Sequence, residues 1–156
     1  MGTTTTDTEH AVDVLNQLLE TSRDGEKGFT DAAKHVDSPE LRSTLQGFAT
    51  QRAGFVTELT QLIQSLGGDP HASGHLAGAL HRGWMNLKEA VSTRDTKAIL
   101  EECERGEDYA KKTFSEALNE PLPETIRAVV QRMSSEVKMV HDRVRDLRDR
   151  ARSAAK

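Results

Sequence analysis

The stretch from Leu100 to Tyr109, LEECERGEDY, concentrates carboxylates on one short segment of the chain. It holds five acidic side chains, at positions 101, 102, 104, 107 and 108, and its apolar spacing is typical of a helix. Carboxylates that point inward from one helix face can bind a divalent metal ion, whereas carboxylates on the outer face are solvated. The segment is therefore compatible with a metal-binding protein or with an acidic surface.

Two of these carboxylates are candidates for the interior. We expect Glu104 and Glu107 to lie near the core, and Glu107 is the stronger candidate because apolar residues lie one turn away on either side. Glu101 and Glu102 are expected to be solvated. The carboxylates that point inward are the ones that could bind a metal ion.

Other polar residues fall at the same height as these two. Glu26 interrupts the apolar stripe of the first predicted helix and Arg52 that of the second, while the last helix offers Glu136 or His141. Heights counted from predicted turns near residues 37 and 120 place all of them in one layer at mid-helix.

This layer has two interpretations. A metal site would use Glu26, Glu104, Glu107 and His141 to bind iron, manganese or zinc. A buried ionic network would instead place Arg52 between Glu26 and Glu107, with bidentate hydrogen bonds to carboxylate. An inward Arg52 favours the network, and an Arg52 turned to solvent favours the metal site.

The elements that must position this layer are predicted to be helices throughout. Apolar residues recur at steps of three and four, and turn signals with glycine or proline separate the segments. No segment alternates with the period of a strand. We expect one domain spanning residues 1–156, with helices at about 9–36, 38–66, 75–92, 95–118 and 123–152.

Connection lengths predict how these helices assemble. Short turns join the first long helix to the second and the third to the fourth, so each pair should form an antiparallel hairpin. The long connection between the hairpins carries the extra helix at about 75–92, which can return the chain to the opposite end of the bundle. The predicted fold is an all-α four-helix bundle with a long crossover.

Glycines inside the predicted helices need a reason, because each costs up to about 1 kcal/mol relative to alanine. They occur at positions 25, 28, 47, 54, 83 and 106. We expect them to allow close packing or to leave room for Trp84 or Arg52.

The sequence also resembles a known family. The segments that carry the resemblance are DGEKGF, QRAGF, LHRGWM, ERGEDYA and VHDRVRDLRD, and they extend over nearly the whole chain. Together they resemble an uncharacterised family of bacterial ferritin-like four-helix-bundle proteins. The resemblance implies a ferritin-like fold and a bacterial origin, but no activity.

The di-iron motif of ferritin-like proteins is absent from the sequence. That motif takes a glutamate from each of two helices and a Glu-x-x-His pair from each of the other two. Here Glu58 is followed by Gln61, and Glu136 and His141 are five residues apart. The helix at 95–118 has no histidine.

Composition narrows the function classes further. The net charge of -4 argues against a general nucleic-acid binder. The single cysteine excludes an internal disulfide and favours a reducing, cytoplasmic location. The N-terminal residues do not resemble a secretory signal, and no apolar run approaches the ~20 residues that span a bilayer.

Two functions follow from these observations. The first is a structural or interaction protein that self-associates as a homo-oligomer, without a working di-iron centre, catalytic residues or cofactor. The second is a divergent carboxylate-bridged protein that binds iron, manganese or zinc and has an oxidase or protective role. The lack of a nucleophile–base pair or phosphate loop makes an enzyme the less favoured expectation.

Overall fold

The computed structural model describes residues 5–70 and 83–154, with side chains from residue 7 onward. All regular structure within these residues is helical. The helices are α1 (Thr5–His35), α2 (Pro39–Ser65), α3 (Leu87–Thr93), α4 (Thr96–Ala117) and α5 (Glu124–Ala154). In the described ranges, no helix is both long and apolar enough to cross a membrane.

Two of the helices begin at capped positions that the sequence specifies. Ser38 is the N-cap of α2, and its hydroxyl accepts a hydrogen bond from the Leu41 backbone N–H at 3.2 Å. Pro39 follows at the first helical position, where a missing N–H costs nothing. Asp95 caps α4 by accepting from the Lys97 N–H at 3.0 Å.

The directions of the long helices follow from the two apolar clusters that they share. The first cluster combines the N-terminal halves of α1 and α5 with the C-terminal halves of α2 and α4. The second combines the opposite halves of the same helices with Trp84 and Leu87. Consequently α2 and α4 run in one direction, and α1 and α5 run in the other.

The contacts between helices also show which of them are neighbours. Helix α1 packs along α2 and also against α4, and α4 packs along α5. Helices α2 and α5 touch at few positions, and the short α3 lies against α1 and α4. The long connection at 66–95, which includes α3, is what allows α2 and α4 to run parallel.

The predicted crossover helix needs a correction in its described part. The sequence pattern predicts helix over about 75–92, of which 75–82 lie outside the described residues. Residues 83–86 are not helical, and α3 begins at Leu87. The physical reason is Gly83, which has φ +97° and lies so close to α4 that a Cβ there would be 2.6 Å from the Arg105 carbonyl oxygen.

Trp84 occupies a seat made by two helical glycines. Its side chain is 2% exposed and packs edge-on against the Phe29 ring, with centroids 5.1 Å apart. A Cβ on Gly28 of α1 would lie 2.4 Å from the indole, and a Cβ on Gly106 of α4 would lie 2.1 Å from it. The prediction that these glycines make room for Trp84 is confirmed, and it ties the crossover to both helices.

Replacing Gly106 by alanine should therefore destabilise the protein by about 1–3 kcal/mol, because the rigid, enclosed indole of Trp84 cannot move aside. The matched control is Gly54→Ala on α2, whose new Cβ would meet nothing within 4 Å. That variant should gain up to about 1 kcal/mol from helix propensity. Urea unfolding followed by circular dichroism measures both. Equal effects of the two substitutions would show that Gly106 is not needed to make room for the Trp84 indole.

Candidate functional site

The most unusual interaction in the described residues is a fully buried ion pair between α2 and α4. The two guanidinium nitrogens Nη1 and Nη2 of Arg52 donate to Oε1 and Oε2 of Glu107, each at 2.7 Å. The side chains are 1% and 0% exposed. This bidentate geometry is the strongest form of the arginine–carboxylate interaction.

Further groups around Arg52 also contact its guanidinium. Its Nε donates to Gln51 Oε1 at 3.2 Å. The rings of Phe29 and Phe55 lie near it, with centroids 5.6 and 5.8 Å from the guanidinium carbon. Cation–π contacts of this kind are stronger where water is excluded. Gly25 leaves space for the arginine, since a Cβ there would be 3.0 Å from Nη1.

The pair lies between the two apolar clusters. On α1 the first cluster ends at Leu19 and the second begins at Phe29, and on α2 Arg52 separates Ala49 from Phe55. On α4, Glu107 separates Cys103 from Ala110. The sequence predicts a layer of polar residues at this height. In the structure, the apolar clusters of α1, α2 and α4 are interrupted there.

Glu26 does not join this pair, so the predicted bridge from Arg52 to both glutamates needs correction. The hydrogen bonds described for Arg52 go to Glu107 and Gln51. Glu26 is half-buried, while its neighbour Gly25 is the residue that faces Arg52. Because each helical residue turns the side chain by about 100°, Glu26 points away from that face.

Two other predicted ligands, Glu104 and His141, meet on the flank between α4 and α5. His141 is 5% exposed, and its Nε2 lies 2.6 Å from Asp108 Oδ1. Glu104, Asp108 and His141 each offer a ligand atom, and these atoms all lie within 4.8 Å of one another. The predicted set of four metal ligands is therefore divided, with Glu107 in the core and Glu104 and His141 outside it.

Charged neighbours already engage this flanking cluster. Arg148 donates a short hydrogen bond to Glu104 Oε1. Asp142 Oδ1 lies 3.1 Å from the other ring nitrogen of His141, Nδ1. Hydrogen bonds from Lys138 and His141 lower the pKa of Asp142 to about 2. A carboxylate behind a histidine is also the arrangement that orients a metal-binding imidazole.

Glu102 is a buried polar residue of this region that the sequence interpretation placed wrongly. It was expected to be solvated, but its side chain is 1% exposed. Its carboxylate accepts from the Asn86 backbone N–H at 2.5 Å and from Arg105 Nη1 at 2.5 Å. Glu102 thereby fixes the turn between Trp84 and α3. The available signal was its position one turn before Gly106, on the side where the crossover approaches.

Cys103 lies between these groups and is fully buried. Burial, followed by the nearby carboxylates of Glu107 and Glu102, raises the pKa of its thiol far above the usual range. A thiol that cannot ionise is a poor nucleophile. The residue is a small part of the core, as its place on the apolar stripe indicates.

These features define an all-helical protein with a buried arginine–glutamate pair at its centre. The profile of the family described as Domain of unknown function (DUF2383) matches residues 10–120. The match covers more than half of the chain, so the protein belongs to this family, and the predicted membership in an uncharacterised family is confirmed. A comparison with curated proteins found no significant match. Arg52 and Glu107 lie within the matched range, and α5 lies beyond it.

Breaking the buried pair from one side should be severe. Arg52→Met leaves the Glu107 carboxylate buried without a partner, and we expect a loss of roughly 3–5 kcal/mol in the free energy of unfolding. The double variant Arg52→Met/Glu107→Leu replaces both charges by apolar groups and should recover most of that loss. Urea denaturation of the three proteins gives the comparison.

The matched control for this cycle is the exposed pair between Arg132 and Glu58, whose side chains are 46% and 37% exposed. Removing Arg132 should cost at most about 1 kcal/mol, since solvent screens such pairs. If Arg52→Met cost no more than Arg132→Met, the buried pair would not have the energetic weight assigned to it.

The Cys103 thiol should be protected in the folded protein. An aromatic disulfide reagent such as DTNB should react with it at least about 1,000-fold more slowly than in urea, because only the exposed thiolate attacks. Gly106→Ala, which disturbs the adjacent seat of Trp84, should speed the reaction. Rapid labelling of the native wild type would show that the residue is accessible.

Proposed function

We propose that the protein is a ferritin-like four-helix bundle with a structural or interaction role and no working di-iron centre. The observation that carries the proposal is the position of Arg52. A permanent cation, held by a carboxylate, occupies the middle of the core where a di-iron protein of this architecture needs metal ligands.

The helix arrangement supports the ferritin-like part of the proposal. Helices α1 and α2 form one antiparallel hairpin, and α4 and α5 form the other. A long connection joins the hairpins and contains α3. A bundle with two hairpins and a single long crossover is the ferritin-like connectivity. We include residues 1–156 in one domain on the same basis.

The residues in the middle of this bundle do not fit a pair of iron ions. Helix α1 contributes Ser22 and Gly25, and Ser22 donates its hydroxyl to the Leu18 carbonyl oxygen at 2.8 Å. Helix α5 contributes the buried side chains of Val137 and Val140. The glutamate of α4 is already bound through both of its oxygens. A metal cation there would be repelled by Arg52 and would lack ligands.

The pair instead suits a role in fixing how the helices align. Arg52 of α2 and Glu107 of α4 satisfy each other only at one relative height of the two helices. A shift by one turn, about 5.4 Å, would leave both charges buried and unpaired. The apolar residues on these helices are mostly aliphatic and would tolerate such a shift better. A fixed, rigid bundle is a platform for binding partners.

A second candidate function is metal binding at the flank formed by Glu104, Asp108 and His141. The observation in its favour is the convergence of two carboxylates and one imidazole from two helices. Carboxylate and imidazole ligands suit iron, manganese or zinc. The Arg148 guanidinium would have to leave Glu104, and Asp108 is largely exposed, so this site would be weaker than an enclosed one.

Metal content distinguishes the two candidates. The protein is purified without a metal-affinity tag and assayed by elemental mass spectrometry, before and after incubation with ferrous iron, manganese or zinc. We expect less than about 0.1 metal ion per chain, in line with a cation occupying the centre. The variants Glu107→Gln and His141→Ala are assayed beside it.

Each variant identifies one location. Near-stoichiometric metal that is lost in Glu107→Gln but retained in His141→Ala would overturn the proposal and make the middle of the bundle a metal centre. Metal that is lost only in His141→Ala would establish the second candidate, with the core pair intact.

A further inference from the structure

One face of the molecule has an apolar groove that no described residue fills. It lies between α2 and α5, the neighbouring helices that touch least, and has a volume of about 500 Å³. Its lining is made of Phe48, Gln51, Glu136, Met139, Val140 and Arg143.

The groove exposes apolar surface at its centre. Met139 is 72% exposed, which is high for a large apolar side chain in the middle of a helix. Phe48 is half-buried, and its ring packs edge-on against Phe29 of the core with centroids 5.4 Å apart. The groove therefore reaches from solvent to the second apolar cluster. Exposed apolar patches rimmed by polar groups are typical of interaction sites.

The charges around Met139 are arranged so that the face complements itself. Glu136 and Arg143 lie on the same side of α5, seven residues or about 10.5 Å apart, with Met139 and Val140 between them. A two-fold axis through the midpoint of Met139 and Val140 exchanges the positions of these two charges. An antiparallel copy of α5 would therefore place Arg143 opposite Glu136, twice.

We propose that the α2–α5 face binds a second copy of this chain across that two-fold axis. In the resulting dimer, the Met139 side chains enter the grooves beside Phe48, and Glu136 of each copy pairs with Arg143 of the other. The inference rests on the proposed interaction role and gives it a partner. A two-fold interface uses the same patch on both subunits, which is the property this patch has.

The state of the two charges agrees with this assignment. Arg143 is exposed and has no ion pair among the described residues, so it is available to another chain. Glu136 has one weak contact, 3.6 Å from Arg132 of the preceding turn. The other terminal nitrogen of Arg132 is engaged by Glu58 of α2 at 2.5 Å, so Arg132 is shared between two carboxylates. A dimer would give Arg143 a partner and Glu136 a second one.

The first test compares two equally exposed methionines. Sedimentation velocity or light scattering at about 1–100 μM should show wild-type particles with twice the mass of one chain. Met139→Asp should raise the dimer dissociation constant by about 100-fold or more, as expected for a central apolar contact. Met85→Asp, at a methionine that is 74% exposed outside the groove, should leave the dissociation constant within about two-fold.

The second test reverses the charges. Glu136→Arg alone and Arg143→Glu alone should each weaken the dimer by about ten-fold or more, because each places like charges opposite one another. The double variant Glu136→Arg/Arg143→Glu should restore it. Glu101→Arg/Arg152→Glu, which reverses an exposed pair between α4 and α5 outside this lining, serves as the control. Circular dichroism checks that each variant is folded.

A monomeric wild type at 100 μM, or a dimer that Met139→Asp does not weaken, would overturn the inference. So would a double charge reversal that fails to recover either single variant. Any of these results can occur with a metal-free core, and a metal-loaded core can occur with an intact dimer. The two proposals therefore fail separately.

Discussion

The need to keep one buried charge paired governs the centre of this protein. A guanidinium removed from water is tolerated only if its nitrogens find hydrogen-bond acceptors and its charge is balanced nearby. Glu107 balances the charge and accepts from both terminal nitrogens, Gln51 accepts from Nε, and the rings of Phe29 and Phe55 make cation–π contacts. Helix α1 can approach only because Gly25 offers no side chain at that height. The need to accommodate the Arg52 side chain therefore determines residues on three helices.

The same charge divides the interior into two apolar cores stacked along the helix direction. Each core takes residues from all four long helices, so neither belongs to a single hairpin. Only α5 is apolar throughout the dividing layer, where it presents Val137 and Val140. If only one core were folded, the ion pair would be half solvated. The two cores and the pair between them should therefore form together. Cooperativity along the bundle is a consequence of where the charges lie.

The sequence predicts the helices and the polar layer well, because period and capping depend on nearby residues. The height of a residue along its helix can also be predicted from the sequence. This is why Arg52 and Glu107, 55 residues apart, could be assigned to the same layer. The rotation of a helix about its axis is harder to predict. One position, about 100°, separates Glu26 from Gly25, and the apolar stripe of α1 is too interrupted there to show which of them faces Arg52. Glu102 was misjudged because its partner is the backbone of a distant turn. Such contacts leave no periodic signal, and the same is true of the close approach of Gly83 to α4.

Trp84 has a practical consequence, since it is the only tryptophan of the chain. Its indole lies in the crossover, against Phe29 of α1 and over Gly106 of α4, and outside the four long helices. Its emission spectrum therefore reports whether the crossover is seated, whereas far-ultraviolet circular dichroism reports the helices themselves. A shift of the emission to longer wavelength at constant ellipticity would reveal release of the crossover from an otherwise folded bundle. The protein thus contains a built-in optical probe for its longest connection.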